Sequence, residues 1–328
     1  MLVVLAAVVL LAVCGPALSA SPRPGTAPVL LGAHNDTSTP FNLVSVPALI
    51  QHRYDGRGLR LTRVLAREPA YTRHAVAYRS GRLTITGVMN VPSSPGWHPL
   101  VVIAHGYRNP ARYTSGSMLE REQAVLAENG FVAFQIDYRN YASSTRERAA
   151  FVARPLGYPA DLVNAVRAVR RADLPFVDGD RVGLFGRSMG GGVVLDALVT
   201  RPHLARAAVL YSPVSSEAAD TYHRWVDGDP GLRRRVEAAY GNPSTRPTVW
   251  RQASAAGYLR RVAAPVQIHH GTADPVCPVG WSEATADRLR AAGKEVTLYS
   301  YAGEDHRFER GWDLFMLRAV SFLRSRLR

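Results

Sequence analysis

A single hydroxyl stands among four glycines in residues 185–192, FGRSMGGG. Within that stretch Gly186-Arg187-Ser188-Met189-Gly190 has the G-x-S-x-G spacing, follows the apolar run RVGLF and leads into the helical pattern VVLDALV. This strand, turn and helix context is the one in which the pattern exposes a nucleophilic serine on a sharp elbow. Bulky side chains two positions before or after such a serine would collide with the neighbouring strand or helix, which explains Gly186 and Gly190. Gly191 and Gly192 would let the helix cross close to the sheet. A phosphate loop is the rival reading, but it needs G-x-x-x-x-G-K-[ST], and the chain's one lysine is Lys294.

A serine nucleophile needs a base and a group that orients the base, and on a strand-turn-helix elbow they follow in the order Ser, Asp, His. Beyond residue 263 the histidines are His269, His270 and His306. His269 and His270 are adjacent at the end of an expected strand, so they point to opposite faces, one into the core and one to edge packing. That divergence also argues against a metal site built from His269, His270 and Asp274. His306, in the loop YAGEDHRF after the last expected strand, is the expected base. Asp274, in the turn HHGTADPVCP, is the expected orienting acid. Asp305 competes through proximity alone, and Asp287 falls on a helix with solvent exposure as its simplest explanation. For the oxyanion of a tetrahedral intermediate, the backbone N–H of Met189 is one donor, and the Tyr107 N–H in AHGYRNP is the favoured second. The Tyr107 phenol or the His105 side chain could add to it, and a plain strand-ending turn is the alternative for His105-Gly106. Cys277 has no activating neighbour in the sequence and reads as a small core residue near a loop.

These residues need a frame to hold them. YTRHAVAY, RSGR and LTITGVMNVP read as strand, turn and strand, an antiparallel hairpin at the start of a sheet. The rhythm then changes to short apolar strands, PLVVIAHG, GFVAFQIDY, DRVGLFG, ARAAVLYSP, APVQIHHG and EVTLYSYAG, separated by helices expected near residues 116–129 and 159–171. Continuous apolar strands alternating with helices predict an α/β fold, a mostly parallel sheet covered on both faces. The interval 213–263 breaks the rhythm and is read as a helical insertion over the carboxyl edge, where ligands bind in this architecture. Trp225, Trp250 and Tyr222 within it are candidates for pocket-lining aromatics, with ordinary packing an equal alternative.

Residues 1–20 are uncharged, with an apolar run over 2–13 that is short of the ~20 residues a membrane span requires. They read as a secretory signal peptide, cleaved after Ser19 or Ala20, and imply a secreted or cell-envelope protein. No Lys or Arg precedes Arg23, so the usual positive leader is missing. Cys14 stands as in a lipoprotein box, but Val13 occupies a position where that box wants a small residue. Residues 21–45, rich in Pro, Ser and Thr, read as a flexible segment before a catalytic domain over 46–328. The chain of 328 residues is 47% hydrophobic and carries a formal charge of +14. Arginine supplies nearly all of that charge and is scattered over every expected helix and not massed in one tract, so an Arg-rich but ordinary surface is the expected reading, with attraction to an anionic cell envelope or substrate as the alternative.

Taken together, VVIAHGYR, FQIDYRN, LFGRSMGGG, YGNP, PVQIHHGTADPVCP and YAGEDHRF resemble, in order and approximate spacing, the α/β-hydrolase catalytic domain of prolyl-oligopeptidase-like serine peptidases, with dienelactone-hydrolase-like esterases as close relatives. The resemblance covers roughly residues 70–328. Carried over by position, it implies Ser188 as nucleophile, His306 as base, Asp274 as orienting acid, and Tyr107 and Met189 at the oxyanion. Two departures matter. Such peptidases usually carry a β-propeller before the catalytic domain, and fewer than seventy residues stand in its place, so gating and amine recognition do not carry over. Many members also have a second glycine where YRNP follows His105-Gly106, which leaves the second donor open.

The expectation is a serine hydrolase that acts through an acyl-enzyme on a peptide or an ester, needs neither cofactor nor metal, and binds no nucleic acid. A carboxylesterase of the dienelactone-hydrolase type is the main alternative, and a non-catalytic binding protein on the same fold is the other. Its partner would be a small ester or short peptide, with no membrane span once the leader is removed. Nothing in the sequence speaks to oligomeric state.

Overall fold

The computed structural model describes residues 45–147 and 157–328. The signal peptide, Cys14 and all of the 21–45 segment except Ser45 lie outside the described residues. Ser45 caps the short helix α1 (Val46–Gln51) by accepting the Ala48 N–H. Nine strands make one sheet: β1 (Arg57–Arg67), β2 (Tyr71–Ser80), β3 (Leu83–Pro92), β4 (His98–Ala104), β5 (Val132–Ile136), β6 (Val177–Arg187), β7 (Ala207–Tyr211), β8 (Val266–Gly271) and β9 (Val296–Tyr301). Their order is β1-β2-β3-β5-β4-β6-β7-β8-β9. The pairs β1/β2, β2/β3 and β3/β5 are antiparallel, and every pair from β5/β4 onward is parallel. The expected hairpin is β2–β3, closed by Ser80 opposite Leu83.

The apolar strands have no polar face because both of their faces are covered. On β4, Leu100, Val102 and Ala104 belong to the core shared with α3 (Gly157–Ala172), α4 (Met189–Thr200) and α8 (Val279–Ala291). The alternate residues Val101 and Ile103 pack on the opposite side with α2 (Glu120–Glu128) and α9 (Trp312–Arg326). The period of two along the strand thus divides one run of hydrophobic residues between two helical layers.

The helix expected over 116–129 begins only at Glu120. The turn before it is held by the end of the sheet: buried Asp137 accepts the Tyr113 hydroxyl at 2.8 Å, the Ser115 hydroxyl at 2.6 Å and the Gly116 N–H at 3.1 Å. A second buried anchor lies just after it. Arg139 donates to both oxygens of Asp161 on α3, at 3.0 and 2.8 Å, and to Glu147 at 2.7 Å. This joins the loop after β5 to the helix beneath it. Removing Arg139 would leave the buried Asp161 carboxylate without its counter-ion, at a cost of about 3–5 kcal/mol.

Between β7 and β8 the chain forms α5 (Ala218–Trp225), α6 (Pro230–Tyr240), α7 (Pro247–Ala253) and a 3-10 helix (Ala255–Arg261). Tyr222 and Trp250 are buried against each other, ring centroids 4.9 Å apart. They pack the interior of this segment and do not line a pocket, because each ring is needed to give short helices a common core. Trp225 is half exposed and meets Trp281 edge to face. Among the described residues no helix is long and apolar enough to cross a membrane.

Candidate active site

Ser188 sits between β6 and α4 with φ 55° and ψ −122°. For a residue with a Cβ such a conformation costs on the order of 1–3 kcal/mol and persists only where surroundings impose it. Here the Ser188 N–H donates to the Tyr211 carbonyl at 2.9 Å, while the Ser188 carbonyl accepts the Gly191 N–H at 2.9 Å and the Val214 N–H at 3.2 Å. The end of β7 therefore clamps the elbow from both sides. A methyl at Gly186 would lie 2.3 Å from the Gly190 carbonyl oxygen, and one at Gly190 would lie 1.9 Å from that of Ala104. Both glycines are steric requirements of the turn, as the sequence indicates. Gly191 serves the same end against Pro213, at 2.6 Å.

Asp274 and His306 arrive from the loops after β8 and β9. The Asp274 Oδ2 accepts the His306 Nδ1–H at 2.7 Å and faces His270 Nε2 at 3.1 Å; Oδ1 accepts the backbone N–H groups of Val276 at 2.8 Å and Cys277 at 2.9 Å. Burial would push this carboxyl's pKa up, but the hydrogen bonds from His270, His306 and the Cys277 amide prevail and hold it well below the usual carboxylate range. An ionised carboxylate accepts only, so His306 carries its proton on Nδ1 and presents the Nε2 lone pair. The loop also sets the Cys277 thiol against the Ser188 hydroxyl as a hydrogen-bond partner, which links the acid's turn to the serine's elbow. Burial pushes that thiol up to about 12, and Cys277 is wholly buried, so it is no nucleophile.

The sequence reading assigns His270 to packing, and the structure buries it. It does diverge from His269, whose ring is buried between Tyr301, at 2.8 Å, and Gln267, also at 2.8 Å. His270, however, lies at the acid itself. Its Nε2 faces two acceptors, Asp274 Oδ2 and the Cys277 carbonyl at 2.9 Å, so Nε2 carries the proton and Nδ1 accepts the Ser282 hydroxyl at 2.6 Å. The H-x-x-x-D spacing of His270 and Asp274 was the available signal, since a strand end and the following turn bring positions four apart face to face.

The loop after β4 borders the serine: a methyl at Gly106 would lie 3.2 Å from the Ser188 Cβ. Among the described residues the backbone N–H groups of Tyr107 and Met189 donate to no backbone carbonyl. The His105 side chain is turned away from the serine. It is buried, with ring nitrogens 2.7 Å from the Gly106 carbonyl and 3.3 Å from that of Asp137, and it stacks on Tyr113. The Tyr107 phenol is 62% exposed. Asp305 accepts the Arg307 N–H at 2.7 Å and so caps its own turn. Among the described residues no three His, Cys, Asp or Glu side chains group as they would around a metal ion.

Comparison with known proteins gives a match to the prolyl oligopeptidase family over residues 117–315. The uncharacterized peptidase YtmA of Bacillus subtilis is 24% identical over 238 residues, covering 72% of this chain and 86% of that one. Two Escherichia coli relatives are 29% identical over 107 residues, and the match spans only 35% of their length. Among solved structures, acetyl xylan esterase 1 from Thermoanaerobacterium sp. superposes with a TM-score of 0.63 at 19% identity, covering 81% of this chain and 88% of the esterase. Acylaminoacyl peptidase from Pyrococcus horikoshii gives 0.66 at 19% identity, covering 79% of this chain and 42% of the peptidase.

Proposed function

The chain belongs to the prolyl oligopeptidase family and is a serine hydrolase of the α/β-hydrolase fold, and on that premise we propose that Ser188, His306 and Asp274 are its catalytic triad. The observations that carry the proposal are the strained, doubly clamped Ser188 and a His306–Asp274 pair whose carboxylate is held ionised, in a turn whose Cys277 side chain interacts with that of Ser188. His306 Nε2 takes the Ser188 proton as Oγ attacks the substrate carbonyl, and the Tyr107 and Met189 amides receive the resulting oxyanion. Collapse of the intermediate expels the alcohol or amine, which takes the proton back from His306. Water then repeats the sequence on the acyl-enzyme and releases the acid. His270 and Ser282 act one step away, by holding Asp274 in place.

The substrate is a short peptide or amide, or a carboxylic ester. The peptidase reading is supported by the family and by YtmA. The esterase reading is supported by the acetyl xylan esterase, nearly the whole of which is matched, whereas less than half of the acylaminoacyl peptidase is. Export is part of the same proposal, supported by the uncharged apolar run at residues 2–13. A fluorophosphonate probe should label the wild type and not Ser188→Ala. Absence of label on the wild type would end the triad assignment, and a panel of acyl esters and aminoacyl or prolyl amides separates the two substrate classes.

A further inference from the structure

A cleft of about 390 Å3 opens beside this site, and its walls are the chain neighbours of the reacting groups. Arg187 precedes Ser188, Arg108 follows Tyr107 and Arg307 follows His306; Arg112 and Arg121 complete a wall of five arginines. Met118, also in the wall, lies 3.6 Å from where a Gly106 methyl would sit, on the side of that glycine that Ser188 borders.

Among the described residues none of the five guanidinium groups is in an ion pair, although shorter-range pairs such as Arg181–Asp178 and Arg290–Asp287 form elsewhere on the surface. Two carboxylates share the cleft, Glu120 and Glu122. Glu122 is buried and accepts the Trp312 Nε1–H at 2.8 Å, which turns it toward α9; Glu120 is exposed in the first turn of α2, where the helix dipole favours it. Neither neutralises the arginines.

Arg187 is the anomaly. It is 8% exposed, its Nε has no hydrogen-bond partner, and its remaining contacts are the Met118 carbonyl at 3.5 Å and the Tyr211 ring at 5.4 Å. A guanidinium so enclosed, with no counter-ion among the described residues and the cleft in front of it, is a group that an incoming anion would pair. Its fork of donors fits a carboxylate in two parallel bonds, which none of the described protein groups supplies.

We propose that the cleft is an anion-binding subsite and that the enzyme's substrates carry a carboxylate within reach of the scissile carbonyl, on either the acyl or the leaving-group side. The substrate assignment rests on the triad proposed above; the anion site itself does not.

Two measurements keep these apart. Monomethyl succinate is titrated into Ser188→Ala protein, which needs no catalysis. Saturable binding is expected, weakened roughly tenfold in the added background of Arg187→Gln, as loss of one charge-assisted contact implies. In parallel, 4-nitrophenyl hemisuccinate is compared with its neutral methyl ester, and 4-acetoxybenzoate is compared with methyl 4-acetoxybenzoate, so that the charge sits first on the acyl part and then on the leaving group. At least one charged member should exceed its neutral partner in kcat/KM by roughly tenfold, with the ratio falling toward one at about 1 M salt. The double variant Arg108→Gln/Arg112→Gln, both exposed positions, serves if Arg187→Gln does not fold, and it should lower the same ratios. No binding of monomethyl succinate, equal binding by dimethyl succinate, or ratios that ignore both salt and the arginine variants would each overturn the subsite. Loss of fluorophosphonate labelling with monomethyl succinate binding intact would instead refute the triad alone.

Discussion

Replacing Asp274 with Asn tests the electrostatics of the site more sharply than deleting the side chain, because it leaves the shape and reverses one hydrogen-bonding edge. The carboxylate faces four donors: two imidazole N–H groups on Oδ2 and two backbone amides on Oδ1. An amide can satisfy only one pair. If its oxygen stays on the Val276 and Cys277 amides, its NH2 faces His306 Nδ1 and His270 Nε2, and both rings must surrender those protons. His306 then holds its proton on Nε2 and cannot accept that of Ser188. An orienting acid lost in this way costs about 10⁴-fold in kcat, or about 5 kcal/mol of barrier. His270 pays in structure, since a bare Nε2 would oppose the Cys277 carbonyl at 2.9 Å. Two charge-assisted bonds lost at about 1.5–3 kcal/mol each should therefore also lower stability. The sign with pH follows. A carboxyl held well below its ordinary value stabilises the fold at neutral pH, and that contribution fades as pH falls below about 4, toward its folded value. Urea melts of wild type and Asp274→Asn should thus differ most at neutral pH and converge on acidification. The assay is the rate of fluorophosphonate labelling together with those melts. A variant that labels within tenfold of wild type, or a stability gap that widens in acid, would refute the reasoning.

Gly190→Ala places a methyl 1.9 Å from a backbone carbonyl, over an ångström inside the 3.0 Å that such contacts respect. It should cost about 3 kcal/mol or more, seen as a melting temperature lower by roughly 6 °C or more, with labelling lost. His270→Gln removes a positioning contact without touching the reacting atoms, so kcat should fall about tenfold with KM within about threefold, and Ser282→Ala should move kcat the same way. A rise in KM at constant kcat would place His270 in substrate binding instead.

The elbow was legible because Gly186, Ser188 and Gly190 are close in sequence and the Gly186 clash arises within the turn, against the Gly190 carbonyl, although the Gly190 clash is with Ala104 on the neighbouring strand. The parallel strands were legible because burial on both faces removes polar residues from runs such as PLVVIA and AAVLY. The start of α2 was not, since Asp137, just past the end of β5, holds the preceding turn in place. The contact of His270 with Asp274 was not legible because it depends on Ser282 and on the Cys277 carbonyl, which only the folded turn brings to it. Arg187 sat in the motif as a variable position, and nothing in its sequence neighbours reports that it would be buried without a counter-ion.

The helical segment between β7 and β8 has a mechanical consequence. Arg224 on α5 donates to the carbonyls of Pro275 and Val276, the two residues directly after Asp274, and Trp225 beside it meets Trp281 at the start of α8. A swing of α5 away from the sheet would pull on the turn that holds the acid and disarm His306. The segment is therefore a buttress for the chemistry and a poor candidate for a moving cover. Among the described residues no such tether joins the α2 side of the cleft to the turn of Asp274, which leaves that side as the approach consistent with the proposed subsite.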